Sequence, residues 1–161
     1  MIDEPLAYFL TWTTYGTWLP RDDRGWAKRK KGFQDPQPKL REWSDRKLEE
    51  PPCTLSLRQR ALVDQTIRER CEMRGWKLWA VNVRSNHVHV VVFARDTSPA
   101  KVRNEFKARC SARLSEDRAA QGLPTRRRWW TERGSLRYLN DEGSLEAAIL
   151  YVNEAQDKSR D

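Results

Sequence analysis

The stretch that decides the fold is residues 77–94, with the sequence KLWAVNVRSNHVHVVVFA. Apolar and β-branched residues dominate both halves of this stretch, 77–84 and 87–94. In residues 77–84 they alternate with polar or small neighbours. The two polar residues Ser85-Asn86 separate the halves and form a connection of the length found in tight hairpins. The pattern therefore predicts two antiparallel strands.

His87 and His89, the only two histidines of the chain, lie on the second of these strands. Strand residues two apart point to the same face of a sheet, so both imidazoles leave it on one side and can share one divalent cation. Val88, Val90 and Val92 point the opposite way, toward a helix-covered core. A histidine pair is more often incidental than a ligand set, so this hypothesis needs a further ligand.

The other elements are bounded by capping and turn signals. They are a strand at residues 8–15, a helix at 56–74, a helix that begins at Ser98-Pro99, a strand at 135–139 and a helix that begins at Gly143-Ser144. The order of the first six elements predicts a ferredoxin-like βαββαβ antiparallel sheet with two helices on one face, an α+β fold. The last helix is an addition to that fold.

The segment between the first strand and the first helix, at about residues 19–54, has no regular pattern. Charge runs such as Lys28-Arg29-Lys30-Lys31 alternate with prolines. We interpret it as a long basic insertion loop, with one short helix near Trp43, inside a single domain that spans residues 1–161. Long loops are either functional or solvated, and both interpretations stay open.

The net charge of +8 indicates a polyanionic partner, either nucleic acid or an acidic membrane surface. Eight tryptophans favour nucleic acid, because aromatic faces between arginines stack on unpaired bases. Trp129 and Trp130 either stack on bases or belong to the core, and alternation along a strand would allow only one of them to be core. The predicted nucleic-acid contacts are Lys28, Arg29, Lys30, Lys31, Lys107, Arg126, Arg127, Arg128, Trp129 and Trp130.

The cysteines and the apolar runs exclude several other classes of protein. The three cysteines are widely spaced and form neither a disulfide framework nor a zinc ligand pair, and Cys71 and Cys110 fall on apolar helix positions. No apolar run approaches the length of a membrane span, and the acidic start lacks the order of a signal peptide. We expect a cytoplasmic protein with no membrane partner.

The last helix offers a further ligand and a nucleophile. At 100° per residue, Gln156 shares a stripe with Leu145, Ile149 and Val152, whereas Tyr151 lies on its flank. An amide in line with an apolar stripe needs a polar or charged partner. Gln156 is therefore either a metal ligand or a frayed residue near the chain end, and Tyr151 taken alone fits a half-buried aromatic.

Four stretches of the chain resemble the HUH single-tyrosine transposases of bacterial insertion sequences, and particularly their REP-associated tyrosine transposase relatives. The most specific feature is the histidine-hydrophobe-histidine triplet preceded by Asn86. The stretches are residues 10–20 (LTWTTYGTWLP), 85–92 (SNHVHVVV), 129–139 (WWTERGSLRYL) and 149–156 (ILYVNEAQ). The element order matches over nearly the whole chain, apart from the loop at residues 21–52.

The resemblance implies an activity, a metal and a partner. His87 and His89, with a polar residue of the last helix such as Gln156, would hold Mg²⁺ or Mn²⁺. Tyr151 would attack the scissile phosphate of single-stranded or hairpin DNA, giving a 5′-phosphotyrosine and a free 3′-hydroxyl. The family includes monomers and homodimers, and both states stay open.

One departure concerns the third ligand. Family members carry it four residues after the tyrosine, where this chain has Ala155, and Gln156 comes five residues after Tyr151. Asn153 and Glu154 are nearby alternatives.

Two other functions compete with the transposase. A non-catalytic single-strand nucleic-acid binder on the same fold would carry aromatics on the open face, where we expect His87 and His89. A replication or conjugation nuclease with the same histidine motif usually has its tyrosine upstream, or two of them. The downstream position of Tyr151 argues against that nuclease.

Overall fold

The structure is a computed structural model that describes residues 4–17 and 48–154. Within these residues four strands form one antiparallel sheet in the order β2-β3-β1-β4. The strands are β1 (Ala7–Thr13), β2 (Lys77–Val83), β3 (His87–Phe93) and β4 (Ser135–Leu139), and the helices are α1 (Leu57–Arg74), α2 (Pro99–Ala120) and α3 (Glu142–Asn153). The predicted ferredoxin-like α+β fold is confirmed. The Lys28–Lys31 run and the predicted helix near Trp43 lie outside the described residues.

The ends of α1 and α2 follow from local side-chain chemistry. Ser56 caps α1 by accepting a hydrogen bond from the Gln59 amide, and the Gln59 side chain accepts one from the Ser56 amide in return. Gly75 ends the helix in the left-handed conformation, with φ of 73°. Ser98 caps α2 by accepting a hydrogen bond from the Lys101 amide, and Pro99 occupies its first turn, as the sequence predicted.

One face of the sheet packs against α1 and α2 and forms the main core. Val88, Val90 and Val92 of β3 are fully buried there, beside Leu10 and Trp12 of β1. The alternation of β3 is therefore as predicted: its valines at even positions face the helices, and His87 and His89 face away from them.

The opposite face is partly covered by α3, which crosses β3 and β2. Leu145, Ala148 and Val152 of the helix pack on Val91 and Ala80 of the sheet in a second, smaller apolar cluster. The predicted apolar stripe is thus the buried side of α3. The predicted start at Gly143-Ser144 was wrong by one residue, because Asp141 is the cap and the helix begins at Glu142.

The edge strand β2 departs from simple alternation. Its register with β3 shifts between Leu78 and Ala80, which is the mark of a β-bulge. Trp79 is consequently exposed, whereas Val81 and Val83 are buried in the main core. The alternation predicted for residues 77–84 therefore fails at Trp79. Among the described helices none is both long and apolar enough to cross a lipid bilayer.

Candidate active site

The two histidines stand next to each other on the face that carries α3. Their ring centroids are 4.7 Å apart and their planes are inclined by 72°. In the ladder between β1 and β3, Thr13 pairs with His87 and Thr11 pairs with His89. The pair is thus held by the centre of the sheet rather than by a loop.

A buried threonine fixes the orientation of His89. The Thr11 hydroxyl lies 2.9 Å from Nδ1 of His89, and both residues are buried. Burial, with smaller contributions from His87 and Arg84, lowers the pKa of His89 to about 3. His89 is therefore neutral near pH 7, which is the state in which imidazole binds metals.

The hairpin residue Asn86 orients His87 in a similar way. Nδ1 of His87 lies 2.7 Å from the side-chain oxygen Oδ1 of Asn86. An amide oxygen only accepts hydrogen bonds, so this contact requires a ring proton on Nδ1, and in the neutral ring the lone pair is then on Nε2. Ligating histidines are commonly fixed by such a partner on the other ring nitrogen.

Tyr151 of α3 lies against the histidine pair. Its ring centroid is 5.5 Å from that of His89, with the planes inclined by 82°, and 6.0 Å from that of Phe9 on β1. The side chain is 46% exposed, so the ring is packed on one side and open to solvent on the other. The structure therefore brings together three of the residues that the sequence singled out.

A hydrogen bond between the sheet and α3 holds the helix end beside His89. Asn82 of β2 pairs with His89 in the ladder, and its side-chain Nδ2 donates to the Val152 carbonyl oxygen at 2.9 Å. Val152 directly follows Tyr151, so Asn82 fixes the turn of helix that presents the tyrosine.

A cleft of about 840 Å³ opens between the sheet and α3 and reaches His89. His89 and Tyr151 line one side, and Arg137 of β4 stands with its guanidinium 6.0 Å from the centroid of the Phe9 ring. The remaining lining residues are Thr11, Ser135, Asp141, Gly143, Ser144, Ala147 and Ala148.

The third predicted ligand, Gln156, lies outside the described residues. In residues 4–17 and 48–154 no third histidine, cysteine or carboxylate joins the pair to form a cluster that could hold a metal ion. The nearby alternatives Asn153 and Glu154 are exposed at the end of α3.

Residues 126–128 are three arginines that the sequence predicted to contact nucleic acid. Their side chains are exposed or half-exposed, and each has a partner within the chain. Arg127 and Arg128 both contact the Glu49 carboxylate, at 3.0 and 3.1 Å. The Glu50 carboxylate accepts hydrogen bonds from the backbone amides of the same two residues. Arg126 donates to the Pro51 carbonyl oxygen. These three arginines form what we term the arginine triplet.

Trp129 and Trp130 are core residues, which contradicts their predicted role as stacking platforms. They are only 3% and 9% exposed. The Trp129 ring nitrogen donates to the Ser115 hydroxyl, and that of Trp130 donates to the Lys107 carbonyl. The two tryptophans do not lie on a regular strand, since Trp130 forms only an isolated β-bridge with Thr14. The alternation of strand residues between two faces therefore does not apply to them.

Lys107 is also engaged within the protein rather than open to a phosphate. Its ammonium group donates to the carbonyl oxygens of Thr131 and Arg133, at 2.7 and 2.8 Å. Burial, assisted by Arg103, lowers its pKa to about 8. We therefore correct its predicted role to that of supporting the connector before β4.

Sequence reasoning missed Thr11, Asn82 and Arg137 as members of the site. Each lies on a strand at a position that points to the same face of the sheet as His89. The alternation of side chains along a strand could therefore have identified Thr11 and Arg137. No local signal exists for the contact of Asn82 with Val152, since the two residues are 70 positions apart.

Comparisons with known proteins identify the family of the chain and a similar fold. Residues 54–155, more than half of the chain, match the family described as "Transposase IS200 like". The chain belongs to the IS200-like transposase family, as the sequence resemblance indicated. No curated protein sequence matches it significantly.

A solved structure of a REP-associated tyrosine transposase bound to a REP hairpin is similar in fold. The TM-score is 0.55 at 13% sequence identity, and the match covers 98% of this chain and 69% of that one.

Proposed function

We propose that the chain cuts and rejoins single-stranded DNA through a covalent 5′-phosphotyrosine on Tyr151. The observation that carries the proposal is the convergence of Tyr151, His87 and His89, with neighbouring ring centroids 4.7 and 5.5 Å apart. A tyrosine beside two oriented imidazoles combines a nucleophile with ligands for a metal ion. These are the two components that a metal-assisted phosphoryl transfer to tyrosine uses.

The chemistry assigned to Tyr151 is a single displacement at phosphorus. Its phenol oxygen forms a bond to the phosphorus while the bond to the 3′ oxygen breaks. The phenol proton is released, and the leaving 3′ oxygen takes up a proton to become a free hydroxyl. Attack by a second 3′-hydroxyl reverses the step and releases Tyr151, so the DNA is rejoined without another energy source.

The histidine pair fits a divalent cation, Mg²⁺ or Mn²⁺. Nδ1 of His89 lies next to the Thr11 hydroxyl, and Nδ1 of His87 lies next to the Asn86 side-chain oxygen. We therefore assign Nε2 of each ring to the cation. When bound, the cation supplies charge neutralisation at the scissile phosphate. We assign Gln156 as the third protein ligand, because its amide oxygen is of the type that suits both Mg²⁺ and Mn²⁺.

We infer that the tyrosine and the histidines act within one chain. Tyr151 is carried by α3, and α3 is tied to the sheet beside His89 by the hydrogen bond from Asn82. A nucleophile delivered to a partner's site would instead need this helix to leave its own sheet. A partner chain is therefore not needed to bring Tyr151 to the histidines.

We assign single-stranded or hairpin DNA as the partner. The net charge of +8 and the arginine triplet favour a polyanion. The similar solved transposase is bound to a REP hairpin, which supports a hairpin as the form of DNA to test.

The experiment is incubation with single-stranded DNA that carries hairpins, with Mn²⁺ or with EDTA, followed by a denaturing protein gel. We expect a covalent protein–DNA band that appears only with the metal. Hairpin binding without any such band under either Mg²⁺ or Mn²⁺ would favour a non-catalytic nucleic-acid-binding protein instead.

A further inference from the structure

The Glu50 carboxylate occupies an anion-binding arrangement made by the chain itself. Its two oxygens accept hydrogen bonds from two successive backbone amides, that of Arg127 at 3.0 Å and that of Arg128 at 2.8 Å. These contacts, mainly the one with Arg127, lower the pKa of Glu50, so the group is fully ionised near neutral pH. Backbone amides that point at one anion also bind phosphates in other proteins.

The surrounding arginines add positive charge beside the two amides. The guanidinium groups of Arg127 and Arg128 both reach Glu49, and that of Arg126 lies over the rings of Tyr15 and Trp129, at 5.7 and 5.8 Å from their centroids. A phosphodiester, like a carboxylate, has two oxygens that share one negative charge. It can therefore accept hydrogen bonds from the two amides as the Glu50 carboxylate does.

The contacts that fill this arrangement are of the kind that a ligand can displace. The side chains of Arg127 and Glu49 are 75% and 54% exposed, and that of Arg128 is 44% exposed. Exposed ion pairs contribute little to stability because water screens them. A phosphate can thus replace the Glu49 carboxylate at small cost, and the hydrogen bonds of Glu50 to the two amides are likewise exposed to solvent.

The arginine triplet also lies at the end of the sheet that carries His87. Thr13 pairs with His87, the amide of Thr14 donates to the Asn86 carbonyl, and the amide of Tyr15 donates to the Trp129 carbonyl. Strand pairing and two backbone hydrogen bonds thus link the triplet to the end of the sheet where His87 lies.

We propose that the amides of Arg127 and Arg128, with the arginine triplet, form a phosphate-binding site for DNA that Glu49 and Glu50 occupy when no DNA is bound. The acidic pair thus competes with the substrate. The proposal rests on the assignment of DNA as the partner but not on the cleavage chemistry of Tyr151.

The test measures binding of a fluorescent hairpin oligonucleotide with a single-stranded flank, by anisotropy in EDTA so that no cleavage occurs. The double variant Glu49→Gln/Glu50→Gln is compared with Glu69→Gln/Glu105→Gln, which removes the same charge. Glu69 and Glu105 pair with arginines of α1 and α2 away from the histidine face. Thermal unfolding checks that both variants are folded.

We expect the first variant to bind the hairpin more tightly than the control. For each additional DNA phosphate that the freed arginines neutralise, affinity should rise roughly eightfold at 0.1 M salt, and the log–log salt slope should steepen by about 1. Adding Arg127→Ala/Arg128→Ala should abolish this increase in affinity. The same two substitutions should cost less affinity in the wild type, where the two glutamates already occupy the arginines.

Equal affinities and slopes for the two glutamate variants, or weaker binding by Glu49→Gln/Glu50→Gln, would overturn the inference and leave the cleavage proposal untouched. Absence of hairpin binding by every variant and by the wild type would overturn both this inference and the assignment of DNA. Loss of the covalent adduct with binding intact would count only against the proposed chemistry.

Discussion

The ring of Tyr151 stands nearly perpendicular to the imidazole of His89, with centroids 5.5 Å apart. The two residues come from an added helix and a central strand, 62 positions apart in sequence. Their contact places a candidate nucleophile beside a candidate metal ligand in one chain.

Thr11→Val should weaken metal binding while preserving the fold. Valine has the shape of threonine but cannot hydrogen-bond to Nδ1 of His89, so the ring loses its fixed orientation. Loss of such a partner typically lowers metal affinity about 10- to 100-fold. Electron paramagnetic resonance of free Mn²⁺ during titration measures the affinity directly. Thr66→Val, a buried threonine whose hydroxyl bonds within α1, is the matched control and should not change Mn²⁺ affinity.

Asn82→Ala should slow cleavage without weakening hairpin binding. The substitution removes the hydrogen bond to the Val152 carbonyl, so the turn that carries Tyr151 gains freedom relative to His89. Loss of positioning on this scale costs about 10- to 100-fold in rate. The rate of adduct formation at saturating DNA and Mn²⁺ gives the comparison. An unchanged rate, or a similar loss in Asn104→Ala on the exposed side of α2, would show that this hydrogen bond does not position the tyrosine.

The metal-free protein should lose stability below pH 6.5 because of His89. Burial lowers its pKa from 6.5 to about 3, so between these values the unfolded chain binds a proton that the folded chain does not. Folding stability then falls as the pH falls, by about 1.4 kcal/mol per pH unit. The free energy of unfolding is measured by urea in EDTA at several pH values, for the wild type and for His89→Asn. The difference between the two pH profiles isolates the contribution of His89, since asparagine does not titrate. Parallel profiles for the two proteins would refute it.

The sequence predicted the ferredoxin-like sheet and the positions of His87, His89 and Tyr151 because these depend on local periodicity. Alternation along β3 fixes which face the histidines occupy, and the apolar stripe of α3 fixes which side of that helix meets the sheet. Both patterns are contained within a dozen residues.

The sequence misjudged Lys107, Trp129 and Trp130, because their partners are distant in the chain. The Lys107 ammonium group meets carbonyl oxygens 24 and 26 positions away, and the ring nitrogens of Trp129 and Trp130 meet partners 14 and 23 positions away. Charge and aromatic content alone indicated nucleic acid at these positions. Only the tertiary contacts show that Lys107 and Trp130 support the connector instead.

The most direct test of the central claim is the covalent adduct formed by Tyr151→Phe, compared with wild type and with Tyr138→Phe. Phenylalanine keeps the ring packed on His89 and Phe9 and removes only the attacking oxygen. Tyr138, an exposed tyrosine on β4, is the matched control. With Mn²⁺ and hairpin-bearing single-stranded DNA, we expect the adduct from wild type and Tyr138→Phe and none from Tyr151→Phe, while all three bind DNA equally. An adduct that persists in Tyr151→Phe would contradict the account.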